Sequence, residues 1–434
     1  MYFIVHVIIE TLISSFRTVC EQFPDKRTGS NVRYGMGDIG MTAFSIFFMQ
    51  SPSFLASQRA LETDRGQSNC QTLFGIDNIP SDNHVRDMLD PVEPDRLFPL
   101  FGKGLATLEK HQALDDFRRL DGHLLVALDG SQYYGSKKIC CDHCQSRKRR
   151  NGGLEYVHSM LCATLVAPGH NKVLPLEPEF ITPQDGHEKQ DCENAAIKRW
   201  LSAHGEQYAH LKPIYLGDDL MSRQPICKSV QDVGANFIFT AKPSSHKTMF
   251  EWIDGAALST HTQTVKTGRS HSTFQYRWLK NVPLRDGKDA LHVNWFEIEI
   301  VDRNGKVTYR NSFVTDLDIN RDNIVELAAC GRARWKIENE QFNTVKNCGY
   351  HLEHDFGHGK ENLAALLVTM NLLAFAFHTV CDLTDDLWST ARDTIGARKY
   401  FFQNLLVLTR YLVFPDWRTL IKTIIDGEPP GKTA

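Results

Sequence analysis

Gly331–Lys346 reads GRARWKIENEQFNTVK, and the interpretation of the whole chain turns on it. The stretch predicts one amphipathic helix that carries a carboxylate among cations. At about 100° per residue, Arg334 and Glu338 stand i,i+4 on one face, and Lys346 lies two turns further, roughly 80° around the axis. Trp335, Ile337 and Phe342 supply its apolar part. Alone, such a pattern is ordinarily a surface helix with one ion pair. Beside two further acids, the same carboxylate can ligate a divalent cation while Arg334 and Lys346 orient it and grip phosphate.

Two such acids stand upstream. LLVALD, 124–129, is a short continuous apolar run ending in Asp129, the pattern of a buried strand with an acid at its C-terminal end. PIYLG, 213–217, repeats the pattern and runs into Asp218 and Asp219. Strands are also predicted over 154–166, 172–181 and 236–240, and helices over 188–203 and 222–233. Pro168–Asn171 makes a turn between the second and third strands. Three strands, a helix, a strand, a helix and a strand is the order of an RNase H-like α/β core, in which acids at the ends of two neighbouring central strands meet a third from a later helix. Asp218 is favoured over Asp219, because it stands to its strand as Asp129 stands to LLVAL. Asp219 is left to cap the helix that follows, and Gly217 to let a metal or a DNA backbone come close.

Around this core, 1–121 reads as a helical N-terminal domain, with Ser81 and Asp82 as N-caps of a short helix and a long helix over 95–120. It serves either to enter a DNA groove or to pack and dimerise. The core occupies 122–240 and 321–382. A β-rich insertion fills 241–320, with strands at 274–279, 292–301 and 306–314 and an Asn304-Gly305 hairpin turn. Residues 383–434 form a helical C-terminal region.

The 434 residues can bury a large core, and a net charge of −3 confines any nucleic-acid contact to local basic patches. The densest patch is Arg147, Lys148, Arg149 and Arg150, which either forms a solvated loop or tracks a DNA backbone. Eleven cysteines without a framework spacing point to reduced thiols and a cytoplasmic protein. The apolar start lacks a basic n-region, and the apolar run 363–377 is short of the roughly 20 residues a membrane span needs, so both are expected to be buried helices with no membrane partner.

Cys141 and Cys144, beside Cys140 and His143, are half of a zinc site. The other half would come from His158 or Cys162 across a hairpin; otherwise the thiols simply lie in a loop. His351, His354 and His358 follow the helix in a Gly-containing loop and are expected to cap a helix or touch DNA rather than bind metal. Tyr276, Trp278 and Trp295 are expected to pack on a sheet face. Three carboxylates gathered at one point imply bound magnesium, for which manganese can substitute, in a pair of ions about 4 Å apart.

LDGSQYYGS around Asp129, YLGDDLMSRQP around Asp218, RARWKIENEQFNTVKN around Glu338 and the following GYHLEHDFGHG resemble the insertion-sequence transposases of the DDE class. The resemblance spans essentially the full chain. It implies a bacterial enzyme that cleaves its element's terminal inverted repeats and joins them to target DNA, working as a homodimer at the nucleoid with Asp129, Asp218 and Glu338 as metal ligands. The family's helix signature spaces Tyr, Arg, Glu and Lys. Here Gly331 falls where the Tyr would be, and Lys346 comes one residue late. The rival readings are a DNA-binding protein that has kept the fold without the chemistry, and an RNase H-like nuclease without strand transfer.

Overall fold

The computed structural model describes residues 8–29, 32–149, 152–183, 192–267 and 270–427. Six helices lead the chain: α1 (Ile8–Cys20), α2 (Met36–Phe48), α3 (Phe54–Leu61), α4 (Asp64–Phe74), α5 (Asp82–Leu89) and α6 (Pro99–Lys110). Ser53, Thr63 and Ser81 cap α3, α4 and α5 by accepting a backbone N–H three residues on. The long helix expected over 95–120 is broken. A 3-10 turn at Pro94–Leu97 precedes α6, and another at Asp115–Phe117 follows it. Pro99 carries no N–H and so opens a helix rather than continuing one.

The central strands then alternate with helices: β1 (Leu124–Ser136), β2 (Gln145–Lys148), β3 (Leu154–Val166), β4 (Leu174–Pro175), β5 (Glu179–Ile181), α7 (Glu193–Tyr208), β6 (Pro213–Gly217), α8 (Gln224–Asp232) and β7 (Asn236–Thr240). The following segment adds α9 (Lys247–Asp254), β8 (Ser259–Thr267), β9 (Ser270–Pro283), β10 (His292–Asp302) and β11 (Val307–Thr315). All the strands belong to one mixed sheet of order β2-β3-β1-β6-β7-β11-β10-β9-β8, with β4 and β5 also paired to β3.

β1 does not stop at Asp129. It runs on to Ser136 because β3 pairs with it antiparallel from Leu125 to Ser136. Its first residues also pair with β6 in parallel, Ala127 opposite Leu216, and β6 pairs with β7 in parallel. The insertion is not set apart from this core. β11 lies antiparallel to β7, with Phe313 opposite Thr240, so the hydrogen-bonded sheet crosses the junction unbroken. Tyr276, Trp278 and Trp295 are buried on its faces, as expected.

The chain closes with α10 (Ile324–Arg332), α11 (Asn343–Asn347), α12 (Leu363–Thr384), α13 (Asp386–Ile395), α14 (Arg398–Tyr411) and α15 (Trp417–Asp426). The apolar run that reads as about fifteen residues is a 22-residue helix, α12, long and apolar enough to cross a membrane. Its surface is covered by the chain itself, through α2, α6 and β4. Phe44 of α2 stacks on Phe16 of α1 at 3.9 Å and meets Phe377 of α12 edge-on at 5.7 Å. The two helical ends of the chain also pack on each other. Asn69 donates to the carbonyls of Thr409 and Leu412, both at 2.8 Å, and the Trp417 indole donates to the Leu73 carbonyl at 2.7 Å. At the far end of α12, burial works against ionisation of Asp382, but Arg398, Lys172 and Arg392 outweigh it and hold the carboxyl below its usual range.

Phe44→Ala removes a ring shared by three helices from both ends of the chain. It is expected to cost about 3–5 kcal/mol, read as a lower midpoint in denaturant. A separate early transition for residues 8–120, leaving the rest of the melt in place, would contradict a shared helical core.

Candidate functional site

The Glu338 segment is helical throughout but not one regular helix. α10 tightens into a 3-10 turn at Ala333–Trp335, widens into a π-helical turn at Ile337–Phe342, and resumes as α11. The fixed angular step expected from Arg334 to Lys346 therefore does not hold. π turns are rare and recur at functional sites. This one is held by Gln341, fully buried, whose side-chain oxygen accepts a hydrogen bond from the Thr164 hydroxyl of β3 at 2.6 Å. Ile337 and Phe342 are buried as expected, but Trp335 is 47% exposed and lies beneath the Arg334 guanidinium, 5.0 Å from the ring centre. Gly331 has no room for a side chain, because a Cβ there would sit 2.9 Å from the Phe313 ring of β11. No tyrosine fits that position.

Arg334 is the point where the acids meet. Its side chain is only 10% exposed and contacts Asp129 at 3.1 Å and Glu338 at 3.4 Å. Asp129 lies on β1 opposite Cys162 of β3. Burial pushes the Asp129 carboxyl up to about 7; Arg334 opposes this, while the charges of Glu338, Glu193 and Asp218 add to it. The parallel β1–β6 register explains the presence of Asp218. Ala127 faces Leu216, and two residues further along each strand come Asp129 and Asp218.

Glu193 is the member that the sequence did not single out. It opens α7, and a Cβ on Gly130 would collide with its carboxyl. Burial, and then the Asp218 charge, raise its own pKa. The glycine after Asp129 was the available signal, since a strand glycine marks a close approach. Lys346 is elsewhere. Its ammonium pairs with Glu353 at 2.9 Å rather than with Glu338.

The two acids after β6 are separated in role. Asp218 is partly exposed and accepts only the Leu220 N–H in a local turn, at 2.9 Å. Asp219 is buried and does not cap α8. Its carboxylate takes the Lys242 N–H at 2.6 Å and the Ser245 hydroxyl, pinning the turn after β7. A Cβ on Gly217 would collide with Met221 and Phe239.

The first half of the basic run, Arg147 and Lys148, ends the edge strand β2, and Arg149 lies just beyond it. Arg147 and Arg149 share Glu155 at 2.9 and 3.9 Å, Lys148 is exposed, and Arg150 lies outside the described residues.

Among the described residues, one set of ligand atoms is close enough to hold a single metal ion: Cys141, Cys144, His158 and His358, all within 4.8 Å of one another. Of the two expected partners for the cysteines, His158 joins them and Cys162 does not. The fourth member, His358, was expected to cap a helix or touch DNA. Cys140 and His143 are exposed and outside the cluster.

Compared with models of known protein families, the chain matches none, and no curated protein matches it either.

Asp219→Ala should leave the Lys242 N–H and the Ser245 hydroxyl without their acceptor and destabilise the protein by about 1–3 kcal/mol. Asp218→Ala should leave the denaturation midpoint nearly unchanged. The reverse ranking in urea melts would show that the strand-end register has been assigned one residue off.

Proposed function

We propose that the chain is a DNA transposase of the DDE class, cutting the ends of its own mobile element and joining them to target DNA. One observation carries the reading: Asp129 from β1 and Glu338 from the π turn share Arg334, with the charge of Asp218 acting on Asp129. The strand order supports an RNase H-like core. β4 and β5 flank β3, β3 and β1 are antiparallel, and β6 and β7 follow in parallel. Substrates of such sheets bind beyond the carboxyl ends of the parallel strands, where Asp129 and Asp218 lie.

The donor set suits magnesium or manganese in its chemistry, although its oxygens are not gathered as closely as the Cys141 cluster's ligand atoms. It is all oxygen, it is partly desolvated, and its members repel one another, which a divalent cation would relieve. Asp129, Asp218 and Glu338 would hold the metal, which when bound would activate a water or a 3′-hydroxyl and stabilise the leaving oxygen. Arg334 holds Glu338 against β1 and keeps a positive charge between two carboxylates that would otherwise push the π turn away. The same guanidinium is placed to grip a phosphate that reaches the acids. Glu193 adds a fourth carboxylate from the side of α7. The exposed Arg147 and Lys148 on the edge strand would follow a DNA backbone. Joining two element ends calls for two active sites, so the working form is a homodimer on DNA.

Labelled element-end DNA, magnesium and a target plasmid test the reading. Wild-type protein should yield cleaved and then joined product. Asp129→Asn, Asp218→Asn and Glu338→Gln should bind the end with nearly unchanged affinity and yield neither product, whereas Asp219→Asn should retain activity. Cleavage without joining would make the chain a nuclease, and binding without cleavage a DNA-binding derivative. Normal cleavage by any of the three variants would remove that residue from the site.

A further inference from the structure

Three segments far apart in sequence bring Cys141, Cys144, His158 and His358 together. The cysteines sit in the turn between β1 and β2, His158 on β3, and His358 in the loop between α11 and α12. Five of the six pairwise distances lie near the edges of a tetrahedron. With about 2.3 Å to sulfur and about 2.0–2.1 Å to nitrogen, a four-coordinate zinc requires edges of about 3.8 Å (S–S), about 3.6 Å (S–N) and about 3.3 Å (N–N). The protein gives 3.9 Å between the sulfurs and 3.1 Å between the two Nε2 atoms. Three of the four sulfur–nitrogen pairs measure 3.2, 3.4 and 3.6 Å, and the fourth, Cys141 with His358, lies within 4.8 Å.

The surroundings also suit a metal. The His358 Nδ1 lies 2.8 Å from the Gly359 carbonyl, which fixes the proton there and turns the Nε2 lone pair toward the cysteines. Gly357 and Gly359, both at positive φ, let the chain bend on either side of His358. Arg86 donates to the Phe356 carbonyl at 2.9 Å, and Asp90 takes the N–H groups of Lys360 and Glu361 at 2.9 and 3.1 Å. The histidine is therefore delivered from a braced loop. The Cys141 N–H points at the Cys144 sulfur at 3.5 Å. Tyr133 lies against His158 and Tyr134 against His358, which keeps the cluster from solvent.

We propose that these four side chains form a closed structural zinc site that fastens the β1–β3 hairpin to the segment following the Glu338 turn. Four protein ligands leave no open position, so the ion has no part in a reaction. Its effect is mechanical. The hairpin carries Asp129 and the fastened segment follows Glu338, so the ion fixes the distance between two chain regions more than 200 residues apart (Cys144 and His358 are separated by 214). The site stands on its own ligands and does not depend on the transposase reading.

Elemental analysis of full-length protein should find about one zinc per chain. Replacing it with Co²⁺ should give the visible bands of a tetrahedral ion and the near-ultraviolet charge transfer of two thiolates. Cys140→Ser and His143→Ala, in the same loop but outside the cluster, should keep the metal. Cys144→Ser and His358→Ala should lose it and melt lower. His358→Cys should keep it with a charge-transfer band strengthened by a third thiolate, which guards against loss through misfolding alone. Asp129→Asn should retain full zinc, so failure of the cleavage reading and failure of this one are separable. Wild-type protein that contains no zinc and gives no tetrahedral cobalt spectrum would overturn the proposal. So would zinc that survives in both Cys144→Ser and His358→Ala.

Discussion

The organisation of the sheet's carboxyl end rests on one ion pair, Arg334 with Asp129, which joins residues 205 positions apart. Asp129 is buried among other acids, and without a nearby cation that cluster would repel itself. A partly buried guanidinium is costly to desolvate unless it is well paired, so each partner makes the other tolerable. Glu338 reaches the same guanidinium from within the π turn, while Gln341 anchors that turn to β3. β1 is the strand on which this depends, since it carries Asp129 and pairs antiparallel with β3 on one side and parallel with β6 on the other. The switch places Asp129, midway along β1, beside the end of β6.

Sequence alone was strongest where one signal sufficed. β6 and β7 are short apolar runs closed by turns, and their expected limits, like those of β3, coincide with the observed strands. Asp129 and Asp218 were legible because each follows such a run. Failures arose where the decisive partner is distant or where periodicity carries no information. Pattern cannot tell a π turn from an α turn, since both are helical and differ only in which carbonyl each N–H reaches. STHTQTVKT gives an edge strand, β8, with no apolar alternation to announce it. Gly217 does mark a close approach, in which Met221 and Phe239 occupy the space a Cβ would fill. The second half of the Cys141–Cys144 pair was half-legible: His158 lies within a hairpin's reach, whereas no local spacing links either cysteine to His358.

The insertion and the helical layers also read differently in three dimensions. By composition, 241–320 looks like a separate β unit, yet its last strand completes the edge that β7 would otherwise leave unpaired. The fold thus disposes of an exposed strand edge by extending the sheet outward to β8, whose residues are polar and whose free side faces solvent. A change in amino-acid pattern marked a change in solvent exposure there, not a break in the hydrogen-bonded framework.

α12 has one further consequence, for the order in which the chain is made. A 22-residue helix of this composition suits a bilayer as well as a protein interior. α2, α6 and β4, which form most of its acceptor surface, precede it in the sequence, and α13 follows it. A chain emerging from the ribosome amino end first has therefore already built the groove before its most apolar segment appears. A circular permutant that begins near residue 360 would reverse that sequence of events. It would hold the same amino acids and the same final contacts, yet its longest apolar helix would emerge before most of the surface that receives it.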